Sequence, residues 1–180
     1  MALSLSSPIY LPAIVSSSDR AGLLLPAIAY GLVGGLVEEL GWTGFAIPRL
    51  RARFSVLATG VIVGVVWGVW HMLQMWWVGS TSFEAVPAGI FLPLYFLTVI
   101  AALTAYRVLM VWVYDRTASL FVAVLMHGSY IMCTLFVLAP PTTGTPFLVY
   151  SGAFVVVLWL AVAVVARVAG LRPVPAAPAS

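Results

Sequence analysis

Long apolar runs make up most of this chain, broken only by short clusters rich in Pro, Gly, Thr and Arg. Five of the runs are long enough for a helix to cross about 30 Å of hydrocarbon, which takes roughly 20 residues. They extend from about Ala21 to Ile47, Ser55 to Val78, Ala88 to Tyr114, Ala118 to Leu138 and Pro146 to Val168. The pattern predicts an all-α fold, a polytopic transmembrane bundle of about five spanning helices. Short connections, Gly79 to Pro87 and Ala139 to Thr145, predict an antiparallel arrangement in which sequence neighbours lie side by side. Pro93 predicts a kink in the third span, and Gly34, Gly35, Gly60, Gly64 and Gly68 predict close approach of helix backbones. One domain over residues 21–170 accounts for these runs. Residues 1–20 read as an interfacial segment or helix stub, because the apolar piece from Ile9 to Val15 is too short to span and no basic region precedes it. Residues 171–180 form a Pro/Ala-rich tail.

Composition agrees with the pattern. The chain of 180 residues is 63% hydrophobic and 7% charged, against roughly a quarter charged in soluble domains. It contains no lysine. Arg49, Arg51, Arg53, Arg116, Arg167 and Arg172 all fall at one side of the spans, with Arg20 at the other. That asymmetry is a membrane-topology signal rather than a nucleic-acid surface, and it puts the Arg49/Arg51/Arg53 loop in the cytoplasm, the membrane being the cell membrane. The opposite loops carry Glu84 and Pro140-Pro141. Trp76 and Trp77 read as interfacial anchors. Cys133 has no second thiol, which excludes an intrachain disulfide and a cysteine-rich zinc site.

Candidate chemistry comes from four ionisable residues at bilayer depth: Glu38, Glu39, His71 and His127. Each costs at least about 2.5 kcal/mol to insert and so calls for a partner or a function. The two glutamates stand about ten residues, or roughly 15 Å, from the end of the first helix. His127 lies at a similar depth in the fourth span and His71 somewhat deeper in the second. Taken alone, each histidine could be an interhelical hydrogen-bonding residue and the glutamate pair an interfacial one. Together, on three helices, they predict one cavity, which the depths place open toward the arginine-bearing side. Adjacent helical residues point about 100° apart, so one glutamate is the chemical group and its neighbour the support. Trp67 lies one turn before His71, and Ile131 one turn after His127, each on a shared face.

The run Glu38-Glu39-Leu40-Gly41-Trp42-Thr43-Gly44-Phe45-Ala46-Ile47-Pro48-Arg49-Leu50 resembles the first motif of the CPBP family, the CAAX prenyl protease 2 and lysostaphin-resistance-A-like membrane endopeptidases. Trp67-Gly68-Val69-Trp70-His71 resembles that family's Phe-x-x-x-His motif, with tryptophan for phenylalanine. His127-Gly128-Ser129-Tyr130-Ile131 matches its His-x-x-x-Asn motif at the histidine. The resemblance covers about Ala21 to Leu138. It implies an intramembrane endopeptidase acting on a membrane-associated peptide or protein, with Glu38 as general base and His71 and His127 positioning water or stabilising the oxyanion. Glu39, Thr43 and Trp67 are the supporting residues.

Departures from the motifs bear on that expectation. Thr43 stands where the family has an arginine, leaving Glu39 without its cation one turn on. Ile131 replaces the asparagine amide. The chain also lacks the N-terminal helices that many members carry, which points to a minimal core or a truncated form. Glu38, His71 and His127 could hold zinc with one open position. The His-Glu-x-x-His spacing is absent, so a cofactor-free glutamate site is favoured over a metal. Two other classes compete: a non-catalytic scaffold or immunity-type protein binding a peptide through the same cavity, and a transporter, for which no internal repeat speaks.

Overall fold

The computed structural model describes residues 7–74, 76, 83 and 86–168. Arg172, Glu84, Trp77 and the tail at 171–180 lie outside the described residues. Five helices are long and apolar enough to cross a membrane. Helix α1 comprises Arg20–Gly41, a wide π turn at Trp42–Ala46 and a final stretch at Ile47–Arg51. Helix α2 is Val56–Trp70, α3 is Ala88–Thr117, α4 is Leu120–Ile131 continued by a second π segment at Met132–Val137, and α5 is Gly144–Val168. In lipid every backbone N–H and C=O must be satisfied within the protein, which is why such runs become helices. Among the described residues before α1 are a 3-10 turn at Pro8–Tyr10 and one helical turn at Ala13–Ser16, the latter tied to the fourth helix's exit by Ala13 N donating to the Ala139 carbonyl at 3.0 Å.

Side-chain caps set several boundaries. Asp19 accepts from the Gly22 N–H at 2.8 Å, Ser55 from Ala58 at 3.1 Å and Ser119 from Val122 at 3.3 Å, each satisfying an amide that has no intrahelical partner. Helix α3 stops at Ala118, whose left-handed φ of 48° reverses the chain into α4.

The packing order departs from the neighbour-to-neighbour expectation. Helix α2 does pack on α3, but α1 makes its main contact with α4, and α5 packs on α3. The reason lies in side-chain size at the crossings. A Cβ on Gly31 would fall 2.6 Å from the Gly128 carbonyl oxygen, so only glycine allows α1 to lie this close to α4. Likewise, a Cβ on Gly64 would lie 2.5 Å from the Cα of Thr104, so α2 and α3 touch backbone to backbone. At the arginine-bearing end, Arg51 holds Asp115 through two bonds of 2.7 Å, joining the ends of α1 and α3. Ile47, Val56, Val63 and Val111 fill the space behind that pair.

Candidate active site

The two close crossings bring together the polar residues of α1, α2 and α4. Glu38 and Glu39 are in the last α-helical turn of α1, and the Trp42 N–H is shared between their two carbonyls as the helix widens into its π turn. Such wide turns are frequent at functional positions. The α2 side supplies Trp67 and, at the helix end, His71, whose ring meets the indole edge-on with centroids 5.5 Å apart. The α4 side supplies His127, whose ring lies 4.9 Å from Trp67.

The two glutamates have different surroundings. Glu39 is fully buried. Its Oε1 accepts from His127 Nδ1 at 2.7 Å, and its Oε2 accepts from Arg107 Nη1 at 2.9 Å and from the Thr43 hydroxyl. Glu38 lies at the cavity wall with its side chain 15% exposed. Its Oε2 accepts from the Trp67 indole N–H at 2.7 Å. The remaining approaches are looser, with His71 Nε2 at 3.7 Å from Oε1 and His127 Nε2 at 4.0 Å from Oε2. Polar pairs at such separations are bridged by water or substrate rather than bonded directly.

Among the described residues, Arg107 joins Glu38, Glu39, His71 and His127 as a further charged residue inside an apolar span. Grouping the arginines with the loops passed over this one, which lies inside α3 about ten residues, or roughly 15 Å, before Thr117. It is fully buried, pairs with Glu39, and lays its guanidinium over the Trp67 ring at 4.1 Å. The indication available in the sequence was a charged residue inside an apolar run, the same feature that singles out the glutamates. Trp67, expected as a supporting residue on the face of His71, supports Glu38 as well, through its indole N–H.

The hydrogen bonds assign the tautomers of both histidines. A carboxylate only accepts, so His127 carries its proton on Nδ1, the nitrogen facing Glu39. The Trp67 carbonyl likewise only accepts, so His71, whose Nδ1 lies 2.9 Å from it, is protonated there too. Both rings therefore present Nε2 toward Glu38, and His127 Nε2 has no protein partner. Glu38, His71 and His127 share the wall of one cavity of about 170 Å³.

That cavity runs the opposite way from the expectation of an opening toward the arginine-bearing side. Its wall includes Tyr30 and Gly34, which precede Glu38 on α1, Gln74 beyond His71, and Tyr150 and Ser151 near the start of α5. All of these belong to the other half of the bundle. Toward the arginines lies instead a buried apolar cluster of Ile47, Val56, Val63 and Val111, with Trp42 packed against it. Ile131, at the position of the family's asparagine, lines the cavity as an apolar side chain.

The family model for type II CAAX prenyl endopeptidase, Rce1-like, matches residues 20–133, a stretch that includes every residue of this cluster. The chain belongs to that family. A relative from Methanococcus maripaludis, CAAX prenyl protease 2, is 25% identical over 104 residues, which cover 57% of this chain and 37% of the relative. The chain thus spans a little over a third of the curated relative it matches. No solved structure matches it. With its five apolar helices, this Rce1-like chain is an integral, multi-pass membrane protein of a membrane-protease family.

Proposed function

We propose that the chain is an intramembrane endopeptidase in which Glu38 activates the water that hydrolyses a peptide bond. The observation that carries this reading is the pair of gaps around Glu38. A carboxylate at the cavity wall faces two imidazole Nε2 atoms at 3.7 and 4.0 Å, distances suited to a shared water. Glu38 takes one proton of that water as the oxygen attacks the scissile carbonyl carbon. The water's other hydrogen is donated to one of the two Nε2 atoms, of His71 or His127, which orients it. The proton on Glu38 then goes to the leaving amide nitrogen as the C–N bond breaks. Where the proton taken from the water passes from Glu38 to His127 Nε2 before it reaches the leaving nitrogen, the Glu39 carboxylate at Nδ1 stabilises the imidazolium and the Nε2–H donates to the oxyanion.

The substrate is a membrane-associated peptide or protein, and the family description makes a prenylated C-terminal peptide the first candidate. The protein resides in the cell membrane with the Arg49/Arg51/Arg53 loop cytoplasmic, on the arginine asymmetry. Catalysis needs no metal in this reading. Purified protein in lipid vesicles, wild type and Glu38→Gln, is assayed on lipidated and unlipidated peptides with and without a chelator. Cleavage by the wild type alone, unaffected by the chelator, is the expected result. Chelator-sensitive cleavage would replace this mechanism by zinc on Glu38, His71 and His127, and cleavage by neither protein would remove the endopeptidase reading.

A further inference from the structure

Thr43 occupies the motif position at which an i+4 cation would pair with Glu39, yet Glu39 is not without a cation. Arg107 reaches the same oxygen, Oε2, from a different helix. We propose that Arg107 replaces the missing arginine as a positioning residue, holding Glu39 as a carboxylate so that Glu39 fixes the His127 ring with Nδ1–H inward and Nε2 toward Glu38. Three observations support this assignment.

The first is burial. Arg107 and Glu39 both have fully buried side chains and are 2.9 Å apart, so each is the other's neutralising charge in a medium where an isolated ion is strongly disfavoured. The stem of Arg107 lies against α2 at Gly64, where its Cβ is 3.2 Å from the position a glycine-replacing Cβ would take.

The second is the bond pattern around Glu39. Oε2 takes Arg107 and Thr43 while Oε1 is left for His127. With one oxygen occupied by cation and hydroxyl, the other is oriented at the imidazole, and a carboxylate there permits only the Nδ1–H tautomer. Were Glu39 neutral, its hydroxyl could donate to Nδ1, the ring proton would shift to Nε2, and the lone pair that orients water would be lost.

The third is the stacking on Trp67. Arg107 Nε and Nη2 have no hydrogen-bond partner, but the guanidinium lies over the indole face, and the same indole donates to Glu38. Arg107 thus braces both glutamates, Glu39 by charge and Glu38 through the ring that holds it.

The relocation also accounts for the smaller residue at position 43. The hydroxyl of Thr43 and the Nη1 of Arg107 converge on one carboxylate oxygen, so an arginine side chain at both positions would bring two guanidinium groups to the same buried site. One cation, from α3, fills the role.

The test pairs Arg107→Ala with two partners: Thr43→Arg, which returns the cation along α1, and Thr43→Met, which returns bulk without charge. Nitrogen-15 NMR of histidine-labelled protein in nanodiscs reads the His127 tautomer without any substrate. This arm does not depend on the endopeptidase reading. The peptide-cleavage rate, which rests on that reading, is the second arm. In the wild type, His127 should be protonated on Nδ1 and not on Nε2. Arg107→Ala should show the Nε2–H form and lose at least about tenfold in turnover, as expected when the carboxylate that fixes a histidine is disabled. R107A/T43R should recover both signals and R107A/T43M neither. Arg107→Lys, which keeps the charge, is the variant to rely on if the alanine protein does not fold, and should retain the wild-type tautomer. Rescue by Met equal to that by Arg would make the role one of packing and overturn the inference. So would a wild-type tautomer in both Arg107→Ala and R107A/T43M, or an Nε2–H His127 in the wild type. A wild type that cleaves nothing while its tautomers follow this pattern would instead count against the endopeptidase reading.

Discussion

Replacing the Trp67 indole with benzothienylalanine, a ring of nearly the same shape that lacks the N–H, removes one interaction and leaves the packing in place. The indole nitrogen donates to Glu38 Oε2 at 2.7 Å, from a side chain only 1% exposed. A hydrogen bond to a charged group is worth about 1.5–3 kcal/mol, and about 1.4 kcal/mol is a tenfold change in rate. If this bond orients the carboxylate for attack, its loss lowers turnover by roughly ten- to a hundredfold, with a smaller effect on KM. The aromatic face remains under Arg107, so the 4.1 Å stacking and the fold are retained. Trp67→Phe, which restores the residue type of the family motif, should show the same rate loss plus a loss of stability from the vacated ring volume. Initial rates on any peptide the wild type cleaves, with thermal unfolding in the same detergent, separate the two effects. Turnover of the benzothienyl protein within twofold of wild type would refute the assignment of an orienting role to the indole N–H.

Other outcomes follow from the packing and the topology. Gly64→Ala forces a Cβ to within 2.5 Å of the Thr104 Cα and should cost about 1–3 kcal/mol, read as a lowered unfolding temperature. Ala118→Gly relieves a non-glycine residue at φ 48° and should stabilise by up to about 1 kcal/mol without altering turnover. Arg51→Met leaves Asp115, about a third exposed, without its two bonds and should lower stability by about 1–2 kcal/mol, with catalysis unchanged. In a Cys133→Ala background, an impermeant thiol reagent added outside cells should label a cysteine placed at Thr142 and not one placed at Arg53. Labelling at Arg53 alone would invert the orientation.

Much of this architecture is written in the chain, because both the spans and the polar residues within them answer to the same solvent. A run such as 146–168 has only one way to satisfy its backbone in lipid, so α5 is legible from composition. Glu38, His71 and His127 are legible because ionisable groups at depth stand out against the apolar background. Partner choice between helices is another matter. That α1 lies on α4 depends on glycine meeting glycine at residues 31 and 128, and neither position says on its own which helix it faces. Arg107 was hidden for the same reason. Its function comes from a carboxylate 68 positions away in sequence, brought close only by the crossing of helices, and arginines invite assignment to loops. The direction of the cavity was misread because depth along a helix says where a residue sits, whereas the free space is decided by what packs on either side of it. Here the buried cluster of Ile47, Val56, Val63 and Val111 occupies the arginine-bearing side.

The most direct measurement is the cleavage rate of Glu38→Gln protein, checked for intact folding and peptide binding, against wild type in the same vesicles. Glutamine keeps the shape and can still accept from the Trp67 N–H, but it cannot take a proton from water. If Glu38 is the base, the rate falls at least about a hundredfold while binding is unchanged. A Glu38→Gln enzyme within tenfold of wild type would contradict that role and move the chemistry elsewhere in the cavity.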